Sequence, residues 1–145
     1  MDFKREAIDK LKCYDAKQQS LQRTTEEILR LQEELVSLQG SPSDGLPVSG
    51  SGGTQDDALV NNIALRAELT KAQRATRAWL CTVDEALKVL SEEEFRILDK
   101  MYIHPRKGYV EQLCAELHIE KTALYTKKNT ALRRFTLALY GVTEQ

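Results

Sequence analysis

The chain has 145 residues, 41% of them hydrophobic and 30% charged, with a formal net charge of −1. That length holds one ordinary domain or an extended element plus a small one, and the polar balance suits long exposed helices. No stretch approaches the roughly 18 uninterrupted apolar residues of a membrane span, and Cys13, Cys81 and Cys114 are too few and scattered for a disulfide scaffold.

The start, with Asp2, Lys4, Arg5 and Glu6, lacks the apolar run of a signal peptide. Together with the cysteine usage, this places the expected protein in the cytoplasm, soluble and without a membrane partner. Residues 1–39 contain no Gly or Pro and read as one long helix. Ile8, Leu11, Tyr14, Leu21, Ile28, Leu31, Leu35 and Leu38 recur at helical spacings and form a narrow apolar seam. Gln18, Thr25 and Gln32 interrupt it, and polar seam positions can fix register or partner choice.

Residues 40–57 hold five of the seven glycines and two of the three prolines. That composition predicts a flexible linker without helix. The SGSGGT tract lacks the Gly-Lys-Ser/Thr of a phosphate-binding loop. Asp56 and Asp57 then suit a helix N-terminus, and Leu59, Ile63, Leu69, Leu80, Val83, Leu87 and Leu90 carry a second seam over residues 58–90. Two helices on the order of 50–55 Å each, at 1.5 Å per residue, joined by a loop predict an antiparallel, coiled-coil-like hairpin, with exchange between two chains left open by the length of the loop. A two-helix seam buries little surface, so homo-oligomerisation through the hairpin is expected.

Seven of the nine aromatic residues lie from Trp79 onward, which places the compact core in the C-terminal half. Residues 91–145 open with Ser91-Glu92-Glu93-Glu94, the pattern of a capping box. Phe95, Leu98, Met101 and Tyr102 follow as one apolar face. His104-Pro105-Arg106-Lys107-Gly108 breaks that helix. Leu113, Leu117, Ile119 and Leu124 have the spacing of a helix-turn-helix core, with Cys114 as the small residue at the crossing. His118 occupies a turn position that often needs positive φ, which histidine tolerates better than most residues. The last helix is expected from Lys121 to Tyr140, ending at Gly141. The fold class is therefore all-α: the hairpin followed by a three- to four-helix domain.

Between Lys121 and Thr143 there is no Asp or Glu, whereas Lys121, Lys127, Lys128, Arg133 and Arg134 are basic. Local charge matters more than net charge for attracting phosphates. In helix-turn-helix proteins the early turns of the second helix enter the major groove. Lys121, Thr122, Tyr125, Lys127, Lys128 and Asn129 are the candidates for base and phosphate contacts, with Arg133 and Arg134 for backbone charge.

Residues 91–140 resemble region 4 of sigma-70-type factors. The resemblance is carried by Phe95-x-x-Leu98, Leu113-Cys114-Ala115-Glu116-Leu117-His118-Ile119, Thr122-Ala123-Leu124-Tyr125 and Ala131-Leu132-Arg133-Arg134-Phe135. Over its whole length the chain resembles phage- and mobile-element-encoded regulators of Gram-positive bacteria, the group related to ArpU and RinA. This implies promoter-type binding to double-stranded DNA in a bacterial host, and contact with RNA polymerase as a further expectation. Lys121, Thr122 and Tyr125 fall at recognition-helix positions, and Glu120 stands where Ser often caps that helix. Nothing before Ser91 resembles the aromatic-rich region with which sigma factors melt promoters, so an accessory regulator is expected.

Other chemistry finds little support in the residues. Cys114 and His118 lie four apart, but a zinc site normally takes four ligands, and a nucleophile–base pair would lack an orienting third group. The expectation is no enzyme, no metal and no cofactor. A helical module that grips a protein, such as RNA polymerase or a phage assembly component, stays open as the alternative to DNA binding.

Overall fold

A computed structural model describes residues 1–40 and 52–143, and its regular elements are all helical. Helix α1 spans Phe3–Gly40 and α2 spans Gly52–Leu87. Helix α3, Glu92–Leu98, runs directly into a π-helical turn over Asp99–Ile103; α4 covers Tyr109–Leu117 and α5 covers Lys121–Tyr140. The expected all-α class is the observed one. Among the described residues no helix is long and apolar enough to cross a membrane.

Short-range chemistry sets most helix ends. Asp2 caps α1 by accepting from the Arg5 N–H at 3.1 Å. At α3 the Ser91 hydroxyl accepts from the Glu94 N–H at 3.1 Å, and the Glu94 carboxylate accepts from the Ser91 N–H at 2.9 Å. This is the reciprocal cap that the sequence predicts. Helix α4 starts after Gly108, whose φ of +81° favours glycine, and α5 stops at Gly141, with φ +75°. His118 ends α4 at φ +55°, the left-handed geometry expected of it. The Ile119 N–H then reaches back to the Cys114 carbonyl at 3.1 Å, closing a Schellman-type turn.

Two boundaries differ from expectation. Helix α2 begins at Gly52 rather than at Asp56 and Asp57, so part of the Gly-rich tract is helical. The first turn of a helix is its least demanding part, and Gln55 Nε2 donates to the Leu38 carbonyl of α1 at 3.3 Å beside it. Of the linker expected over residues 40–57, residues 41–51 lie outside the described residues. The second departure is the apolar face of α3, where Phe95 is exposed and Ile97 and Leu98 are buried. The π turn holds one more residue per turn than an α-helix. It shifts the face beyond Leu98, so that Ile103 is buried; Phe95 precedes it and is exposed on α3 itself, where Ile97 takes the inward position.

The chain divides into two units, Met1–Gln18 with Ala78–Gln145 and Gln19–Arg77. The first is larger than the segment 91–145, because both long helices contribute to its core. Ala7 and Leu11 of α1 and Val83, Ala86 and Leu87 of α2 pack with Leu98, Ile103, Ala131, Leu132 and Phe135. Trp79 packs against that cluster, with the ammonium groups of Lys10 and Lys17 5.6 and 5.4 Å from its ring centre. Tyr14 donates its hydroxyl to the Asp84 carboxylate, a further tie between α1 and α2.

In the second unit α1 and α2 pair antiparallel, as expected, through a seam that is half polar. Leu31 is buried, and so is Asn62, which donates to the Leu31 carbonyl at 2.9 Å. Gln73 Nε2 donates to Thr25 Oγ1 at 2.9 Å. Ile63, expected in the seam, is exposed, and Asn62 takes the inward position.

Candidate nucleic-acid interface

The helix-turn-helix is assembled by a second core cluster. Ile97 of α3, Leu113 of α4 and Leu124 of α5 are fully buried, and Met101, Cys114, Leu117 and Ile119 pack around them. Leu113, Leu117, Ile119 and Leu124 thus form the expected set. Helices α3 and α4 both pack on α5, and Lys100 ties the π turn to α4 through Glu116 at 2.7 Å. That ion pair holds the Glu116 carboxyl below its usual range.

On α5, Leu124, Ala131, Leu132, Phe135 and Thr136 are buried, which leaves the opposite side of the helix to solvent. Thr122, Tyr125, Asn129 and Arg133 lie on that side at successive spacings of three, four and four, and all four are exposed. Lys121 is exposed at the first turn. Lys128 stands over the Tyr125 ring, 5.5 Å from its centre. Burial pushes the Lys128 ammonium below its ordinary value, and the nearby Lys4 charge pushes it further.

Two of the eight candidate residues are paired with acids of α3. Lys127 forms an ion pair with Glu93 at 2.9 Å. Arg134 is bonded to Glu94 and donates to the Val89 carbonyl at 2.7 Å. Both point toward the start of α3, away from the Thr122–Arg133 stripe. The acid-free run of α5 finds counter-charges in Glu93 and Glu94, which the sequence places in the capping box of α3. Lys127 and Arg134 are thus engaged with α3, and Lys121, Lys128 and Arg133 are the other cations of α5.

One contributor escaped the sequence reading. Lys4, at the start of α1, lines a groove of about 460 Å³ with Thr126, Asn129, Thr130, Arg133 and Thr136. No local signal could have found it, because it stands more than a hundred residues from α5 in the chain. The Thr126, Thr130 and Thr136 hydroxyls donate to carbonyls one helical turn back, at 3.1, 3.1 and 2.7 Å. Lys4, Asn129, Arg133 and Thr143 supply the groove's other polar side chains.

Exposed lysine and arginine on one side of a packed helix can neutralise phosphates, and Thr, Tyr and Asn beside them can hydrogen-bond base edges or backbone. Among the described residues no three His, Cys, Asp or Glu side chains gather where a metal ion could sit. Compared with known proteins, the chain matches no family model, no curated protein and no solved structure.

Proposed function

We propose that the protein is a sequence-specific DNA-binding regulator, an accessory factor at promoters of the phage or mobile-element type, whose α4–α5 helix-turn-helix presents α5 to the major groove. The observation that carries this reading is the exposed stripe Thr122, Tyr125, Asn129 and Arg133, with Lys121 at its head, on a helix held rigid by a buried apolar set. The resemblance of residues 91–140 to sigma region 4 supports the same assignment, and with it RNA polymerase as a partner. Exposed Leu29, Val36, Val60 and Ile63 on the hairpin support self-association, which would deliver two helix-turn-helix units to paired half-sites.

Titration of a fluorescent random duplex at two salt concentrations tests the reading. Binding at low salt that weakens steeply as salt rises is expected, because phosphate contacts release counterions. Replacing Thr122 or Tyr125 with Ala is expected to change preference between sequences. A chain that ignores duplex DNA at low salt would instead favour a helical protein-interaction module.

A further inference from the structure

We infer that one face of the α1–α2 hairpin, carrying Leu29, Val36, Val60 and Ile63, is where a second copy of the chain docks, face to face about a two-fold axis that runs along the hairpin. The inference rests on the reading of the protein as self-associating and gives it a surface and a register; it does not depend on what α5 binds.

The place of the face follows from the seam. Leu29 and Val36 each come one residue after a seam position, Ile28 and Leu35, and Val60 and Ile63 come one residue after Leu59 and Asn62. One residue turns a helix by about 100°. Because the two helices run antiparallel, that step carries both pairs to the same side of the hairpin, where all four side chains are 49–68% exposed. Gln32 lies between Leu29 and Val36, and Ala67 follows Ile63 by one turn, so no charge interrupts the strip. The opposite side is built differently. Glu27, Arg30 and Glu34 come one residue before the seam, and Arg30 is paired with both glutamates. Of the exposed large apolar side chains described in this unit, only Leu65 falls there.

Three properties of the strip select a second copy as its occupant. It is self-complementary. The Asn62–Leu31 bond sets Leu29 and Ile63 side by side at nearly one level, with Val36 and Val60 the next pair along. A two-fold axis along the hairpin lays α1 of one copy on α2 of the other at that level, so Leu29 meets the second copy's Ile63, Val36 meets its Val60, and each contact occurs twice, as in an isologous dimer. The charges at its margin also match. Glu26 stands one turn before Leu29 and Lys71 one turn after Ala67, both exposed, and the Gln73–Thr25 bond puts them at one level, so the same axis brings opposite charges together at the rim. Its extent suffices as well. From Gln22 to Gln39 the strip runs about 25 Å, and two helices about 10 Å wide make it about 20 Å across. Two copies then bury on the order of 1,000 Å² in total, the lower limit of a specific interface, which gives a dimer in exchange with monomer.

Analytical ultracentrifugation of the full chain over a concentration series tests this, with thermal melts to show that each variant folds. The parent is expected to pass from monomer to dimer. Leu29→Lys and Ile63→Glu are each expected to weaken the dimer about tenfold or more, since each sets a charge against an apolar side chain. An equimolar mixture of the two is expected to recover most of the dimer, because the new lysine and glutamate then face each other. Asn61→Lys, on the opposite side, is expected to behave like the parent. A parent that stays monomeric, a dimer indifferent to Leu29→Lys and Ile63→Glu, or a mixture as weak as either variant alone would overturn the pairing. Duplex titration keeps the two readings apart: a monomeric parent that binds DNA at low salt overturns the dimer alone, and a dimeric parent that ignores DNA overturns the DNA reading alone.

Discussion

Arg134, in the second half of α5, bonds the same Glu94 oxygen that accepts the Ser91 N–H at the start of α3. The local cap and the long-range ion pair are thereby one structure, and the guanidinium also holds the Val89 carbonyl at 2.7 Å. Arg133, its neighbour, lines the groove on the other side of the helix. The two arginines should separate in experiment. Arg134→Ala is expected to cost about 1–2 kcal/mol of stability, within the range for charge-assisted hydrogen bonds that are partly exposed. Arg133→Ala is expected to lower duplex affinity in the salt titration. The reverse pattern in the two assays would reject the assignment.

His118 carries a left-handed backbone, at φ +55°, in the turn between α4 and α5. A side chain there is strained by its Cβ, and glycine removes the strain at a small cost in unfolded-state entropy. His118→Gly is expected to stabilise the protein by about 0.5–1 kcal/mol. Chemical denaturation checks it, and a loss of stability would mean that the imidazole contributes packing that outweighs the strain.

His104 closes the π turn with Nδ1 2.8 Å from Asp99 and Nε2 3.3 Å from Asp15 of α1. The Asp99 hydrogen bond, partly opposed by burial and aided by Asp15, raises the imidazole above its ordinary 6.5. A raised folded-state value favours the charged form in the folded chain. The stabilisation is therefore complete below pH 6.5 and fades as pH rises through the higher folded value. The melting-temperature gap between the parent and His104→Asn should be widest near pH 6 and shrink at alkaline pH. A gap that stays flat from pH 6 to 9 would show that the imidazole acts without its charge.

Asn62 is the buried polar member of the hairpin seam, donating to the Leu31 carbonyl at 2.9 Å and accepting from Arg66 Nε at 3.2 Å. The Leu31 carbonyl keeps its own helical donor, so removing the amide orphans nothing there. Asn62→Leu is expected to raise stability by about 1 kcal/mol while loosening the choice of register and partner. Denaturation midpoints report the first effect, and sedimentation the second as a broader distribution of species. Destabilisation with an unchanged distribution would show that the amide bond is a net contributor.

Several features were readable in the chain because their causes lie within a few residues of one another. The Ser91–Glu94 cap, the turn at Gly108, the left-handed His118 and the stop at Gly141 are all satisfied locally, by a side chain or a backbone geometry that residue type controls. The helix-turn-helix set of Leu113, Leu117, Ile119 and Leu124 was readable too, since a single helical period and one turn relate its members. Phe95 was misplaced because α3 buries Ile97 beside Leu98 instead, a choice made by packing.

Packing alone settled the rest. Counting charges along α5 cannot tell Arg133 from Arg134, because neighbours on a helix point about 100° apart and their fates depend on which acid lies across the space. Glu94 captured one of them from forty residues away. The same holds for Ala7 and Leu11, which complete a core built mostly near the other end of the chain, and for Lys4, which stands beside α5 because that core brings α1 there. Local geometry is encoded by neighbours in sequence; the sign and shape of a surface are decided by neighbours in space.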